Sequence, residues 1–140
     1  MATKIRVAVL EAFQSPFEND VWRCGLVTGE MVAEAISHGE LYSYSQWNSI
    51  RVSPDHEISP EQHAGRIAYL AIHGWDDCIS VDVGVPSLGC TPVWPYTDGN
   101  HRLCAAIHRG DDFIDAEVEG DIDYAEELFG VPIEDPEEGK

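Results

Sequence analysis

Apolar and polar residues alternate from the start of the chain. In Lys4 to Leu10 (KIRVAVL), Ile5, Val7 and Val9 fall on one side and predict a strand. Between Glu11 and Gly25 the pattern dissolves around Ser15-Pro16, Asn19-Asp20 and Gly25, which is loop chemistry. Helical spacing takes over at Gly29 to His38, where Met31, Val32, Ala35 and Ile36 share a face, Thr28 can cap it and Gly39 can end it. Leu41 to Val52 carries aromatic and β-branched residues on both sides of Gln46-Trp47-Asn48, so a hairpin or two short strands is expected there. The best-marked element starts at Ser59-Pro60-Glu61-Gln62, which combines a serine cap, a proline at the first helical position and a glutamine three residues after the cap. Its apolar face is Ala64, Ile67, Ala68 and Ala71, and Gly74 closes it.

Cys78 to Val83 (CISVDV) alternates as a strand, and Pro86 to Gly89 turns. Thr91 to Thr97 is extended, with Pro92 and Pro95 assigning it to a sheet edge. Asn100 to Arg109 predicts a short helix closed by Gly110, Phe113 to Val118 a strand, and Asp121 to Phe129 a last helix. Strands and helices mix without regular βαβ alternation. The expected fold class is α+β, a single compact domain over residues 1–131 with a small mixed sheet and flanking helices. Residues 132–140 read as an acidic tail.

Charge changes the picture more than size does. The 140 residues are 44% apolar, enough to bury a real core. Eight Lys and Arg stand against 26 Asp and Glu, a formal net charge of −18. Such a field repels nucleic acid, whose affinity comes from Lys and Arg neutralising phosphates, so direct nucleic-acid binding is not expected. A local cationic pocket is compatible with that sum, because sites are local. No apolar run approaches the roughly 18 to 20 residues of a membrane span, and no membrane partner is expected. The N-terminal segment has no signal-peptide pattern, and Cys24, Cys78, Cys90 and Cys104 form no CxxC pair. Reduced thiols and a cytoplasmic location are the expectation.

Candidate chemistry concentrates where the extended Thr91 to Thr97 segment turns into a helix, at Asp98-Gly99-Asn100-His101-Arg102. Gly99 allows positive φ and close approach of a ligand, Asn100 can cap the helix, and free first-turn N–H groups favour an anion. Arg102 supplies a planar fork for phosphate oxygens, and His101 a donor or proton shuttle. Asp98 is expected to make an Asx turn. Glu61, His63 and Arg66 lie in the first turns of the capped helix, where a solvated face with Glu61 complementing the helix dipole is the plain reading. Asp55, His56 and Glu57 precede them in a loop.

The strand, the box Asp98 to Arg102 and the following Leu103-Cys104-Ala105-Ala106 resemble the phosphate-binding box of the ParB/sulfiredoxin superfamily. The order of elements around it is similar too, over about residues 48–120. The resemblance implies a ParB/sulfiredoxin-like fold and a site for a phosphorylated small ligand, a nucleotide first among them, at Asp98, Gly99, Asn100, His101 and Arg102. Sulfiredoxins place a nucleophilic cysteine where this chain has Asn100, so sulfinic-acid reduction does not transfer. The resemblance also implies polar ligand-facing residues near the capped helix, which makes Glu61 the candidate catalytic carboxylate together with His101; nuclease, phosphohydrolase and phosphotransferase activities occur as readings within that superfamily, and the reaction stays open.

Two metal readings follow. His101, Cys104 and His108 can share a helical face and, with Cys90, would make four zinc ligands; Cys104 among Leu103, Ala105 and Ala106 reads as core instead, and zinc is not expected. Mg²⁺ held by carboxylates and ligand phosphates is the more natural cofactor, because it needs few protein ligands. A function of a different class is an acidic interaction protein, whose carboxylates mimic a phosphate array and occupy a basic protein partner's groove. Thirteen of the 26 acids fall in residues 111–140, with Lys140 as their one base.

Overall fold

The first alternating run is shorter than its pattern suggests. In the computed structural model, which describes residues 2–53 and 57–133, strand β1 spans Thr3–Arg6 and the chain turns at once into helix α1, Val7–Phe13. The reason lies in its partner. Antiparallel pairing runs Thr3↔Ala116 to Arg6↔Phe113, and Phe113 begins the neighbouring strand. Asp112 still offers its carbonyl to the Val7 amide, 3.0 Å away, and beyond it there is nothing to pair with. Val7 and Leu10, three residues apart, are then buried together by helical turning, so α1 occupies part of the segment read as loop.

A second difference is Leu41 to Val52. No hairpin forms; Tyr44–Arg51 is helix α3, following α2 at Gly29–His38. Ser43 and Gln46 make a reciprocal capping box, and of the aromatic residues Trp47 alone is buried while Tyr44 faces water. Capping chemistry outweighed the β-propensity of the tyrosines and Ile50. Helix α4, Pro60–His73, has the box and the proline its sequence announces. Strand β2 (Ile79–Asp82), a 3₁₀ turn at Pro86–Leu88, strand β3 (Tyr96–Asp98), helix α5 (Asn100–Arg109), strand β4 (Phe113–Glu119) and helix α6 (Ile122–Phe129) complete the order.

The described residues thus make an α+β domain of six α-helices and a four-stranded mixed sheet, ordered β1-β4-β2-β3. β4 pairs antiparallel with β1 and parallel with β2, and β3 lies at an edge, antiparallel to β2. One sheet face carries Ile5, Ile79, Val81, Ile114, Ala116 and Val118 into a core shared with α1, α5 and α6. On the other face Asp115, Glu117 and Glu119 meet water.

Helix α5 lies between two apolar clusters. Leu103 and Ala106 join the sheet-side core, while Cys104 and Ala105 pack with Val32 and Ala35 of α2 and Ala64, Ile67 and Ala68 of α4. Small residues on that second side let α4 approach closely. Helices α4 and α5 run in the same direction. His63 meets His101 near both N-termini, and at the other end the Arg109 guanidinium sits 4.6 Å from the ring centroid of Trp75, just past α4. Two helix N-termini therefore open on one region of the surface. Among the described residues no helix is long and apolar enough to cross a membrane. Asp55, His56 and the tail from 134 to 140 lie outside the described residues.

Candidate ligand site

The turn into α5 is built around Gly99, the N-cap residue, at φ +90°. A Cβ there would lie 2.5 Å from Cγ2 of Ile79, so strand β2 itself demands the glycine. Thr28, Ser43, Ser59 and Asp121 cap α2, α3, α4 and α6 with their side chains, whereas α5 has no side-chain cap. Asn100 does not act as a cap. Its Oδ1 accepts from the Trp94 indole N–H (2.8 Å) and its Nδ2 donates to the Tyr96 carbonyl (3.0 Å), which fixes the approach of β3.

Arg102 and Asp98 also differ from their expected roles. Nη1 of Arg102 donates to the Cys78 carbonyl at 2.8 Å, and Nη2 pairs with Oδ2 of Asp98 at 3.2 Å. The guanidinium staples α5 to the entry of β2, and Asp98 answers it instead of closing an Asx turn. Gly99 and Arg102 do not line the neighbouring cleft; Thr97, Asp98, Asn100 and His101 do.

His101 connects this turn to a residue 38 positions away. Its Nε2 lies 2.8 Å from Nδ1 of His63, with ring planes 15° apart and centroids 5.1 Å apart. That separation is the N···N distance plus about a ring radius at each end, so the imidazoles lie end to end in nearly one plane rather than one above the other. Trp22 covers both, its centroid 4.3 Å from His63 and 4.6 Å from His101, with planes within 18°. These three distances set the indole roughly 3.6 Å above the midpoint of the His–His hydrogen bond, normal carbon–carbon contact. Trp47 meets both rings at 5.1 and 5.0 Å with its plane turned steeply.

Burial holds both histidines neutral. His63 is pushed down to about 4 from an ordinary 6.5 by loss of solvent alone. For His101 the same burial acts first; the repulsion that a second protonated ring would meet at His63, and the charges of Arg66, Arg102 and Arg51, drive it further down. With one neutral ring donating and the other accepting, the 2.8 Å contact is a normal hydrogen bond.

Both rings line a cleft of about 630 Å³, within the ordinary size range of ligand pockets. Trp22 and Trp47 form its aromatic side; Arg23, Arg51, Cys24 and Glu57 complete it with the α5 turn. Arg23 adopts φ +57°, which makes it the one non-glycine residue with positive φ among those described. The preceding Asp20 accepts from the Cys24 and Gly25 amides (3.0 and 3.1 Å), holding this left-handed turn in place. Cys24 has its thiol pushed up by burial and by Asp20, so it stays protonated.

Glu61 is not brought to His101. It is exposed and lines a separate shallow depression with Glu34 and Glu40. The zinc set is scattered: His101 faces the cleft, Cys104 lies in the core, and Cys90 is exposed beside the 3₁₀ turn. Among the described residues no three His, Cys, Asp or Glu side chains converge as a metal site. Compared with protein-family models, curated proteins and solved structures, this chain matches none.

The sequence centres the site on one turn and offers Glu61, His63, Arg66 and Glu57 as further candidates; the structure brings His63 and Glu57 to the cleft and adds Trp22, Arg23, Trp47 and Arg51. Their convergence is long-range. The available local signals were a histidine beside the apolar face of α4 and a tryptophan-arginine pair within a polar loop.

Proposed function

We propose that the cleft binds a phosphorylated small molecule with a planar group, a nucleotide being the class that suits it best. The observation that carries this reading is a concentration of positive charge. The chain has six arginines and a net charge of −18, yet Arg23 and Arg51 line the cleft, while Arg66 and Arg102 lie close enough to act on His101. Two of six arginines on the wall of one cleft, with two more close behind it, favour an anion locally in a chain that otherwise repels anions. The uncapped N-terminus of α5 adds aligned N–H groups, and the tryptophans add apolar surface for a base. The box resembling that of the ParB/sulfiredoxin superfamily contributes Asp98, Asn100 and His101 to the same wall. Mg²⁺ suits this arrangement as a partner of ligand phosphates, because it takes one or two carboxylates and keeps its waters. Asp98 and Glu57 are the cleft carboxylates that would hold it.

The test is a titration read by tryptophan fluorescence and thermal shift, with nucleotides, phosphosugars and inorganic phosphate, with and without Mg²⁺. Trp22 and Trp47 line the cleft, so occupancy changes the emission. Ligand at 100 times its Kd adds about 2.7 kcal/mol of stability. Arg51→Ala is the informative variant, since Arg51 bonds only Asn48 on its own helix among the described residues. Expected is a shift with one ligand class, reduced tenfold or more in affinity by Arg51→Ala. A folded protein silent to the whole panel overturns the reading.

The alternative of an acidic interaction protein rests on the open sheet face. Asp115, Glu117 and Glu119 stand there at alternate positions, about 6.6 Å apart along the strand. Lys4 pairs with Asp115 at 3.1 Å, which leaves two of this row for a basic groove and favours the cleft.

A further inference from the structure

Helix α5 begins with donors that bond to nothing else in the described chain. The Leu103 amide is the first to find a helical partner, the Gly99 carbonyl at 2.9 Å, and the amides of Asn100 and His101 before it have no hydrogen-bond partner among the described residues. The His101 ring stands on this turn and uses its two nitrogens differently. Nε2, at the far end, meets Nδ1 of His63 at 2.8 Å. Nδ1, at the main-chain end of the ring, has no partner among the described residues and is open to solvent. His101 is partly buried and, with Asn100, lines the cleft. The open nitrogen therefore stands with the free amides of one helix turn.

An anion at that turn needs donors, and a bare Nδ1 would meet it lone pair to lone pair. Two states of the ring carry hydrogen there. One is the imidazolium, which burial and the charges of Arg66, Arg102 and Arg51 oppose. The other is the neutral ring with hydrogen on Nδ1 and none on Nε2. Which nitrogen of a neutral histidine carries the proton is set by the hydrogen bond that the other makes. Nε2 of His101 is an acceptor when His63 donates to it through its own Nδ1–H. His63 is 4% exposed, and Trp22 lies over both rings, which holds this donor in line.

We propose that His63 is a positioning residue of the anion site: by donating Nδ1–H to Nε2 of His101 it keeps hydrogen on Nδ1 of His101, and that N–H binds a phosphate oxygen of the ligand beside the α5 amides. The inference rests on the phosphorylated-ligand reading of the cleft. His63 acts on the phosphate through its neighbour alone. Its distal Nε2 points away from His101, and its contribution is the tautomer of the ring it bonds. Both rings stay neutral with the ligand bound.

The experiment titrates inorganic phosphate and the nucleotides and phosphosugars of the binding panel into wild type, His63→Leu and His63→Asn. Leucine fills much of the ring's space and donates nothing; an asparagine amide can place an N–H where Nδ1–H of His63 stands. Expected is affinity lowered tenfold or more in His63→Leu, as for the loss of a hydrogen bond to a charged group, and recovered in His63→Asn to within about threefold of wild type. If His63 only fills space, leucine is the better substitute and the order reverses. Side-chain nitrogen NMR of wild type saturated with its tightest-binding panel member reads the tautomer directly. Expected are two neutral rings with hydrogen on both Nδ1 atoms and on neither Nε2. Hydrogen on Nε2 of His101, an imidazolium at either ring, equal affinity of the two variants, or tighter binding by His63→Leu overturns the proposal while leaving the binding reading intact. If the leucine variant does not fold, the spectrum decides alone. Silence of wild type to the whole panel overturns both readings.

Discussion

Acidification should unfold this protein through its two cleft histidines. In the unfolded chain His63 takes up a proton as pH falls through about 6.5, whereas in the folded protein it resists until about 4. Between those limits the unfolded state binds more protons, so stability rises with pH across the window and is lost on acidification. A displacement from 6.5 to about 4 corresponds to about 3 kcal/mol for His63, and His101, displaced the same way, adds with the same sign. The 26 carboxylates work against this trend, because protonating them relieves the repulsion of a −18 chain. The clean comparison is therefore wild type against His63→Asn/His101→Gln, which keeps the carboxylates and removes both rings. Urea unfolding followed by tryptophan emission, at steps from pH 7.5 to 4.5, gives the difference in stability at each pH. Whatever the gap at pH 7, it should move against wild type by at least about 2 to 3 kcal/mol on reaching pH 4.5, a midpoint change of about 1 M urea or more. A gap constant to about 0.5 kcal/mol over that range would refute the argument that burial depresses these histidines.

Two further expectations concern the scaffold. Gly99→Ala places a Cβ 2.5 Å from the Ile79 side chain at φ +90°, and should cost about 2 kcal/mol or more in chemical denaturation; a loss under about 0.5 kcal/mol would mean the turn adapts freely. Ser43→Ala removes one half of the α3 capping box and should cost about 1 kcal/mol, with hydrogen exchange rising first at residues 44–47. Unchanged exchange there would show that the packing of Trp47, not the cap, holds the helix.

What could be seen in the sequence was local. The caps of α2, α4 and α6, the glycines that end α2 and α5, and the alternation of β2 and β4 each depend on residues a few positions apart, and each element forms where those residues stand. Lys4 to Leu10 was misread because its length as a strand depends on where β4 begins, more than a hundred residues later. Leu41 to Val52 was misread for a different reason: Ser43 and Gln46 repeat the Ser59 and Gln62 signature, and the aromatic residues between them masked it. At the site, Gly99 and His101 were legible as special residues. That His101 has a histidine partner, and that Arg102 and Asp98 answer each other, follows from how α4, α5 and β2 pack.

Helix α5 touches both apolar clusters, through Leu103 and Ala106 on one side and Cys104 and Ala105 on the other. Neither cluster can come apart while the other stays closed without stripping one side of this helix. The two halves therefore share one melting transition, and the amides of residues 103–106 should exchange with solvent only through global opening. The candidate site stands on the first turn of that same helix. Occupancy at His101 is consequently transmitted to the whole domain, and a ligand that tightens one hydrogen-bonded turn will slow exchange even on the far side of the sheet, where it touches nothing.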